Sequence, residues 1–183
     1  PKIFEDAERI RKSMEVVAEQ ADRVGNIVRS LLAVTWPQSN SNDAIRIADV
    51  LEEAARRLDE RFRTRGVMLE REFGVTSVLK ECRFSEVVQI VSSLLLNALE
   101  ASSRGGRVEL RAVDEPGWVR VIVKDDGCGI RPEDMPRIFE PFFTTKQSRG
   151  AGLGLALCSA MVKTQGGSID VRSEPGLGSE FVI

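Results

Sequence analysis

Asp125-Asp126-Gly127-Cys128-Gly129-Ile130 follows directly on Trp118–Asp125, a run that reads as a β-strand. Glycines on both sides of one residue allow positive φ and a close approach of backbone to a flat ligand. A carboxylate at such a turn can accept a hydrogen bond from an exocyclic amine such as that of adenine. A plain Asp-Gly turn explains the same letters, so the hexapeptide has to be read with its neighbours.

Upstream, Gly105-Gly106 leads into a strand at Val108–Val113, and Pro116-Gly117 turns that strand back into Trp118–Asp125 as a hairpin. Before the hairpin, Phe84–Ser102 reads as a largely apolar, central helix. Asn97 sits in its row Leu94-Leu95-Leu96-Asn97-Ala98-Leu99. Its amide is either satisfied inside the core or turned outward. Turned outward, its carbonyl suits a hard cation such as a magnesium ion that keeps most of its waters.

Downstream, Gly150-Ala151-Gly152-Leu153-Gly154-Leu155 opens a helix at Leu153–Thr164. Free N–H groups and the helix dipole favour anions there, which is the chemistry of a phosphate cradle. No Gly-Lys-Ser/Thr follows, so this is not a Walker loop. Lys146 and Arg149 stand just upstream, within reach of phosphates. A flexible capping loop is the simpler alternative. Gly176-Leu177-Gly178-Ser179 is, by itself, a hairpin turn.

The remaining segments complete an α+β chain. Ile45–Ala48 reads as a short strand, with Asp49 capping a helix to about Thr64 that Gly66 stops. Strands are expected at Val67–Phe73, Ser77–Lys80, Ser168–Arg172 and Ser179–Ile183, with Gly166-Gly167 ending the last helix. The architecture these imply is a two-layer sandwich of helices on a mixed, mostly antiparallel sheet. Residues 1–37 differ. Ile3, Ala7, Ile10, Met14, Val17, Ala21, Val24, Val28 and Leu31 form an a/d seam, the mark of one long coiled-coil-like or bundle helix. Pro37 ends it, residues 38–44 form a polar linker, and 45–183 form the second domain.

Taken together, the amide-bearing helix, the Asp-x-Gly-x-Gly turn, the Ile138–Lys146 segment, the glycine loop and the final Gly-x-Gly-Ser resemble, in that order, the catalytic ATP-binding domain of sensor histidine kinases. That domain has the Bergerat nucleotide fold shared with gyrase, Hsp90 and MutL. The likeness covers residues 45–183. Asn97-Ala98-Leu99-Glu100-Ala101 and Phe142-Phe143-Thr144-Thr145-Lys146 are most similar to the nitrogen-regulation type. Residues 1–37 resemble the second helix of the dimerisation and histidine-phosphotransfer bundle. The resemblance implies that Asn97 holds Mg²⁺ bridging the phosphates of ATP. It implies that Asp125 reads the adenine amine in a pocket shaped by Gly127 and Gly129. Gly150, Gly152, Leu153 and Gly154 would wrap the phosphates, residues 142–149 would form a lid, and Ser179 would support the adenine end. A phosphate contact from Lys146 is expected from its charge and position. Implied partners are the helix that bears the acceptor histidine, a response regulator receiver domain and a second copy of the parent, in the cytoplasm.

Several letters depart from that family pattern. Ser93 stands one turn before Asn97, where kinases carry asparagine and the hydrolysing relatives a glutamate. Serine cannot act as that base at neutral pH. Ala151 and Trp36 replace a usual threonine and arginine. The chain has no histidine at all, which excludes a Ser-His-Asp triad, a Cys-His pair and any histidine metal site. It also means that the phosphoryl acceptor lies outside this sequence, as expected of a fragment that starts at Pro1. With 26 basic and 28 acidic residues, the net charge of −2 gives no footprint for nucleic acid. Cys82, Cys128 and Cys158 are too scattered for a disulfide framework or zinc site. A hydrolysing ATPase or serine kinase of the same fold, and a degenerate interaction module, are the alternatives.

Overall fold

The computed structural model describes residues 44–80, 82–145 and 152–183. The expected bundle helix, 1–37, and all but the last residue of the linker lie outside the described residues, as do Lys146, Arg149, Gly150 and Ala151. In chain order the elements are β1 (Ile45–Arg46), α1 (Ile47–Arg65), β2 (Met68–Glu72), β3 (Val78–Leu79), α2 (Phe84–Ala101), β4 (Arg107–Glu115), β5 (Trp118–Asp125), a 3-10 turn (Met135–Arg137), α3 (Gly154–Thr164), β6 (Asp170–Glu174) and β7 (Gly178–Val182). One five-stranded sheet runs β2-β4-β5-β7-β6. Only the β2–β4 pair is parallel, so the sheet is mixed and mostly antiparallel. The expected α+β sandwich is the observed one.

Alternation decides which face of the sheet is dry. Val108, Leu110 and Ala112 of β4, Val121 and Val123 of β5, and Phe181 of β7 point to the helices and are buried. The opposite face carries Arg107–Glu70, Arg111–Glu72 and Arg120–Glu115 ion pairs, with Arg107 and Arg120 exposed and Arg111 half-buried. Such pairs keep the face in water and contribute little stability.

Helix α2 is the central element, in contact with α1, α3, β4, β5 and β7. Its 18 residues are apolar enough to match a membrane span in length and hydropathy. Here that apolarity is used within the fold: Val87, Val88, Ile90, Val91, Leu94, Leu95, Ala98 and Leu99 are buried against α1, α3 and the sheet. Helix α1 covers the sheet beside it with Val50, Leu51, Ala54, Ala55, Leu58 and Phe62, spaced as one helical stripe. Arg71 of β2 reaches up to Glu52 and Asp59 on α1 and ties the two layers together at the edge.

The expected boundaries of β1 and β6 move, for reasons the sequence does not carry. Ile47 and Ala48 belong to α1 and not to the strand, and Asp49 lies in the first helical turn and is not the cap. The Ile47 N–H donates to Ser77 O across the β1–β3 pair, so backbone does the work assigned to a side-chain cap. β6 begins at Asp170, two residues later than expected. Its partner there is Val182, and Ile183 beyond it exchanges both backbone bonds with Val121 of β5. Gly66 does stop α1, with φ +67 and its N–H on Arg63 O.

Leu94 is fully buried on the helix that joins both layers. Leu94→Ala is expected to cost about 2–5 kcal/mol of unfolding free energy, measured by urea denaturation, which is near the full stability of a small domain.

Candidate functional site

Asp125 is the last residue of β5 and alternation turns it inward, where only 3% of it is exposed. Its Oδ1 accepts the Gly127 N–H at 2.9 Å. Burial pushes the carboxyl above the ordinary carboxylate range, and the N–H groups of Gly127 and Ser179 oppose that only in part. Asp126 is used differently. Its Oδ1 accepts the Arg107 N–H at 2.9 Å and fastens the turn to β4.

The glycines of this turn sit closer to protein backbone than sequence reasoning allowed for. A Cβ on Gly127 would lie 2.6 Å from the Ala101 carbonyl oxygen, at the end of α2. The next residue, Cys128, donates its N–H to that same oxygen at 3.1 Å. Gly129 has φ +68, and a Cβ there would lie 2.1 Å from Glu174 O in the β6–β7 hairpin. Gly178 has φ +98 and would collide with Asp125 O at 1.9 Å. The turn is therefore clamped between the end of α2 and the last hairpin, and only glycine fits at the contacts.

Asn97 is half-buried, and its Nδ2 is buried with no hydrogen-bond partner among the described residues. Ser93, one turn earlier, lies near the Cys158 thiol, which donates to the Ile90 carbonyl at 3.8 Å and which burial pushes up to about 11. The Ser93 hydroxyl also lies 3.5 Å from where a Cβ of Gly154 would stand. Successive turns of α2 thus meet two different parts of the site. Ser93 touches the start of α3, the Ala101 carbonyl holds the aspartate turn, and Asn97 lies between them.

Helix α3 starts at Gly154, one residue later than expected, with Leu153 at its N-cap and no side-chain cap. Its first N–H groups are left without the side-chain oxygen that usually satisfies them. Gly152, at φ +66, packs its backbone on Phe142, whose N–H donates to Gly152 O at 2.9 Å. Phe142 itself has φ +68, a left-handed conformation unusual for a bulky residue.

One residue escaped the sequence reading. Ser173 of β6 accepts the Ile130 N–H at 2.8 Å, donates to Gly178 O at 2.8 Å and lies 3.0 Å from the Ser179 hydroxyl. Ser179 is buried and faces Asp125 in the β5–β7 register. The available signal was alternation: Val171 and Ser173 share the inner row of β6, where a polar residue requires partners.

The family of histidine kinase-, DNA gyrase B- and HSP90-like ATPases matches residues 84–183. The sensor histidine kinase ZraS of Salmonella typhi is 34% identical over 173 residues, 92% of this chain and 36% of that protein. This chain therefore spans about a third of the length of such relatives. Among solved structures, the catalytic domain of histidine kinase ThkA superposes with a TM-score of 0.68 at 28% identity, covering 76% of this chain and 91% of that one. Full-length ShkA in complex with AMPPNP gives a TM-score of 0.77 at 28% identity, over 94% of this chain and 37% of that one.

The raised Asp125 carboxyl has a signed consequence for stability. The folded state takes up this proton at higher pH than the unfolded state, so the charge costs stability above the folded pKa, and the cost is relieved as pH falls through it. Asp125→Asn removes that cost. Its melting temperature relative to wild type is expected to be most favourable near pH 7.5, with the difference shrinking toward pH 4.5. A difference that is flat or grows toward acid contradicts the assignment.

Proposed function

The chain belongs to the family of histidine kinase-, DNA gyrase B- and HSP90-like ATPases, and from that footing we propose that it is the ATP-binding catalytic part of a sensor histidine kinase. The observation that carries the reading is the alignment along α2, which meets a buried carboxylate turn at its C-terminal end and an uncapped, glycine-led helix about two turns earlier, at Ser93. That spacing suits a ligand with a base at one end and phosphates at the other.

In this reading Asp125 accepts a hydrogen bond from the adenine amine, and Gly127 and Gly129 hold the turn that aims it. Ser179 supports the same end. Gly150, Gly152, Leu153 and Gly154 offer backbone N–H groups to the phosphates, and Lys146 adds a positive charge. Asn97 fits the role of metal ligand through its amide oxygen, a neutral donor that suits Mg²⁺ keeping waters and phosphate oxygens as its other ligands. Its buried Nδ2, unpaired among the described residues, leaves the same amide a free N–H donor for a phosphate oxygen. No cluster of three or more acidic, cysteine or histidine side chains stands ready to hold a metal alone among the described residues. The ion would therefore arrive with ATP, and when bound it supplies charge neutralisation on the phosphates.

The reaction breaks the bond from the γ-phosphorus to the β,γ-bridging oxygen, forms a P–N bond to an imidazole nitrogen and releases ADP. Positioning and charge stabilisation are what the protein has to provide. The acceptor sits on another helix, since this chain has no histidine. From there the phosphoryl group would pass to an aspartate of a response regulator receiver domain. The parent would act as a dimer with this part in the cytoplasm. Ser93 favours transfer over hydrolysis, because it brings no carboxylate to activate water.

Two measurements test this. Asp125→Asn is expected to weaken Mg·ATP binding about tenfold or more, by titration with a fluorescent nucleotide, as for loss of a hydrogen bond to a charged group. Unchanged affinity removes Asp125 from the site. Supplied with a separate histidine-bearing bundle and Mg·ATP, the chain is expected to place acid-labile phosphate on that bundle. Steady ATP turnover with no acceptor present would assign it to the hydrolysing branch instead.

A further inference from the structure

The nucleotide reading assigns Ser179 a place but not a direction, and the hydrogen bonds around Ser173 supply one. A serine hydroxyl has one proton and two lone pairs. Ser173 lies 2.8 Å from Gly178 O, a carbonyl that can only accept, so the Ser173 proton is committed there. Ile130 N–H can only donate, and it occupies one Ser173 lone pair at 2.8 Å. The Ser179 hydroxyl, 3.0 Å away, meets a Ser173 oxygen that has no proton left, so it must be the donor. Ser173 is then saturated, and Ser179 keeps only lone pairs for anything beside it.

Resting on the nucleotide-binding reading, we propose that Ser173 is a positioning residue that sets base specificity by taking the Ser179 proton, so that Ser179 and Asp125 together present an acceptor-only edge. Ser179 is 6% exposed and stands opposite Asp125 across the β5–β7 pair, which keeps bulk water from scrambling the arrangement. An edge of this kind welcomes the exocyclic amine of a 6-aminopurine, directly or through a water that donates to both sides. It rejects the carbonyl of a 6-oxopurine, which finds no donor and faces two acceptors. Sites built around buried polar groups discriminate in this way because the wrong partner leaves them unpaired.

ATP and inosine triphosphate are the probes, because they differ at the base only in the 6-position and the proton it places on N1. Wild type is expected to prefer ATP strongly. In Ser173→Ala the Ser179 hydroxyl is free to rotate and donate, so the ATP-to-ITP affinity ratio is expected to fall about fivefold or more, with ITP gaining relative to ATP. Ser173→Thr keeps the hydroxyl and should keep the ratio. Ser173→Cys, close in volume and a poor acceptor, carries the same expectation as alanine and stands in for it if alanine does not fold. In a Ser179→Ala background the Ser173 substitution should no longer move the ratio. A loss that is equal for both nucleotides, or a ratio shift that persists without the Ser179 hydroxyl, means Ser173 only braces the hairpin and overturns the proposal. Wild type that binds neither nucleotide overturns the nucleotide-site reading itself. Wild type that prefers ATP, with the ratio unmoved by Ser173→Ala, overturns only the role of Ser173.

Discussion

The structure depends on one helix having to satisfy helices on both flanks and the sheet below at once. Phe84–Ala101 packs against α1 and α3 on its flanks and against β4, β5 and β7 below, through side chains that are almost wholly buried. A helix so enclosed cannot slide or roll by one residue without opening voids on several sides, and protein interiors do not tolerate that cheaply. Its rigidity is what gives the site its geometry. Ser93, Asn97 and the Ala101 carbonyl are at set heights along a rod with a rise of about 1.5 Å per residue. The parts of the site they meet, the start of α3 and the aspartate turn, inherit that spacing.

The aspartate turn shows how the same region serves stability and function with opposite demands. Its backbone is locked by contacts that only glycine permits, at Gly127 against Ala101, Gly129 against Glu174 and Gly178 against Asp125. Its carboxylate, by contrast, is held where burial disfavours its charge. Three segments distant in the chain therefore cooperate to carry a group whose charge the fold disfavours. An acceptor kept dry and aimed is useful to a ligand that offers a donor, because each such bond is stronger away from water. The Ser173–Ser179 pair extends the same logic to hydroxyl orientation, since a proton committed inside the protein leaves only lone pairs facing out.

Much of this was legible in the letters. Apolar spacing defines α1 and α2, Gly66 ends α1, and Pro116-Gly117 makes the β4–β5 hairpin, because each depends on neighbours within a few residues. Asp125 at the end of β5 and the glycine-led α3 were legible for the same reason, whereas a place for Ser179 came only with the family resemblance that the order of the blocks carried. The misjudged ends of β1 and β6 had no local signal. One was decided by Ser77 reaching the first N–H of α1, and the other by the register of β6 on β7, which pairs Asp170 with Val182.

The sequence by itself determined the elements, the order of the motifs and, through its lack of any histidine, that the expected phosphoryl acceptor lies elsewhere. Tertiary structure alone decided what those motifs touch. It revealed that glycines read as making room for a ligand make room for Ala101 and Glu174. It joined Ser173 to Ile130, forty-three residues away, and it made Asp125 a buried carboxylate as well as a turn residue. The reason is physical: propensity and periodicity act over a few residues, whereas burial and hydrogen-bond direction are set by whichever distant segments the packed core brings within about 3 Å.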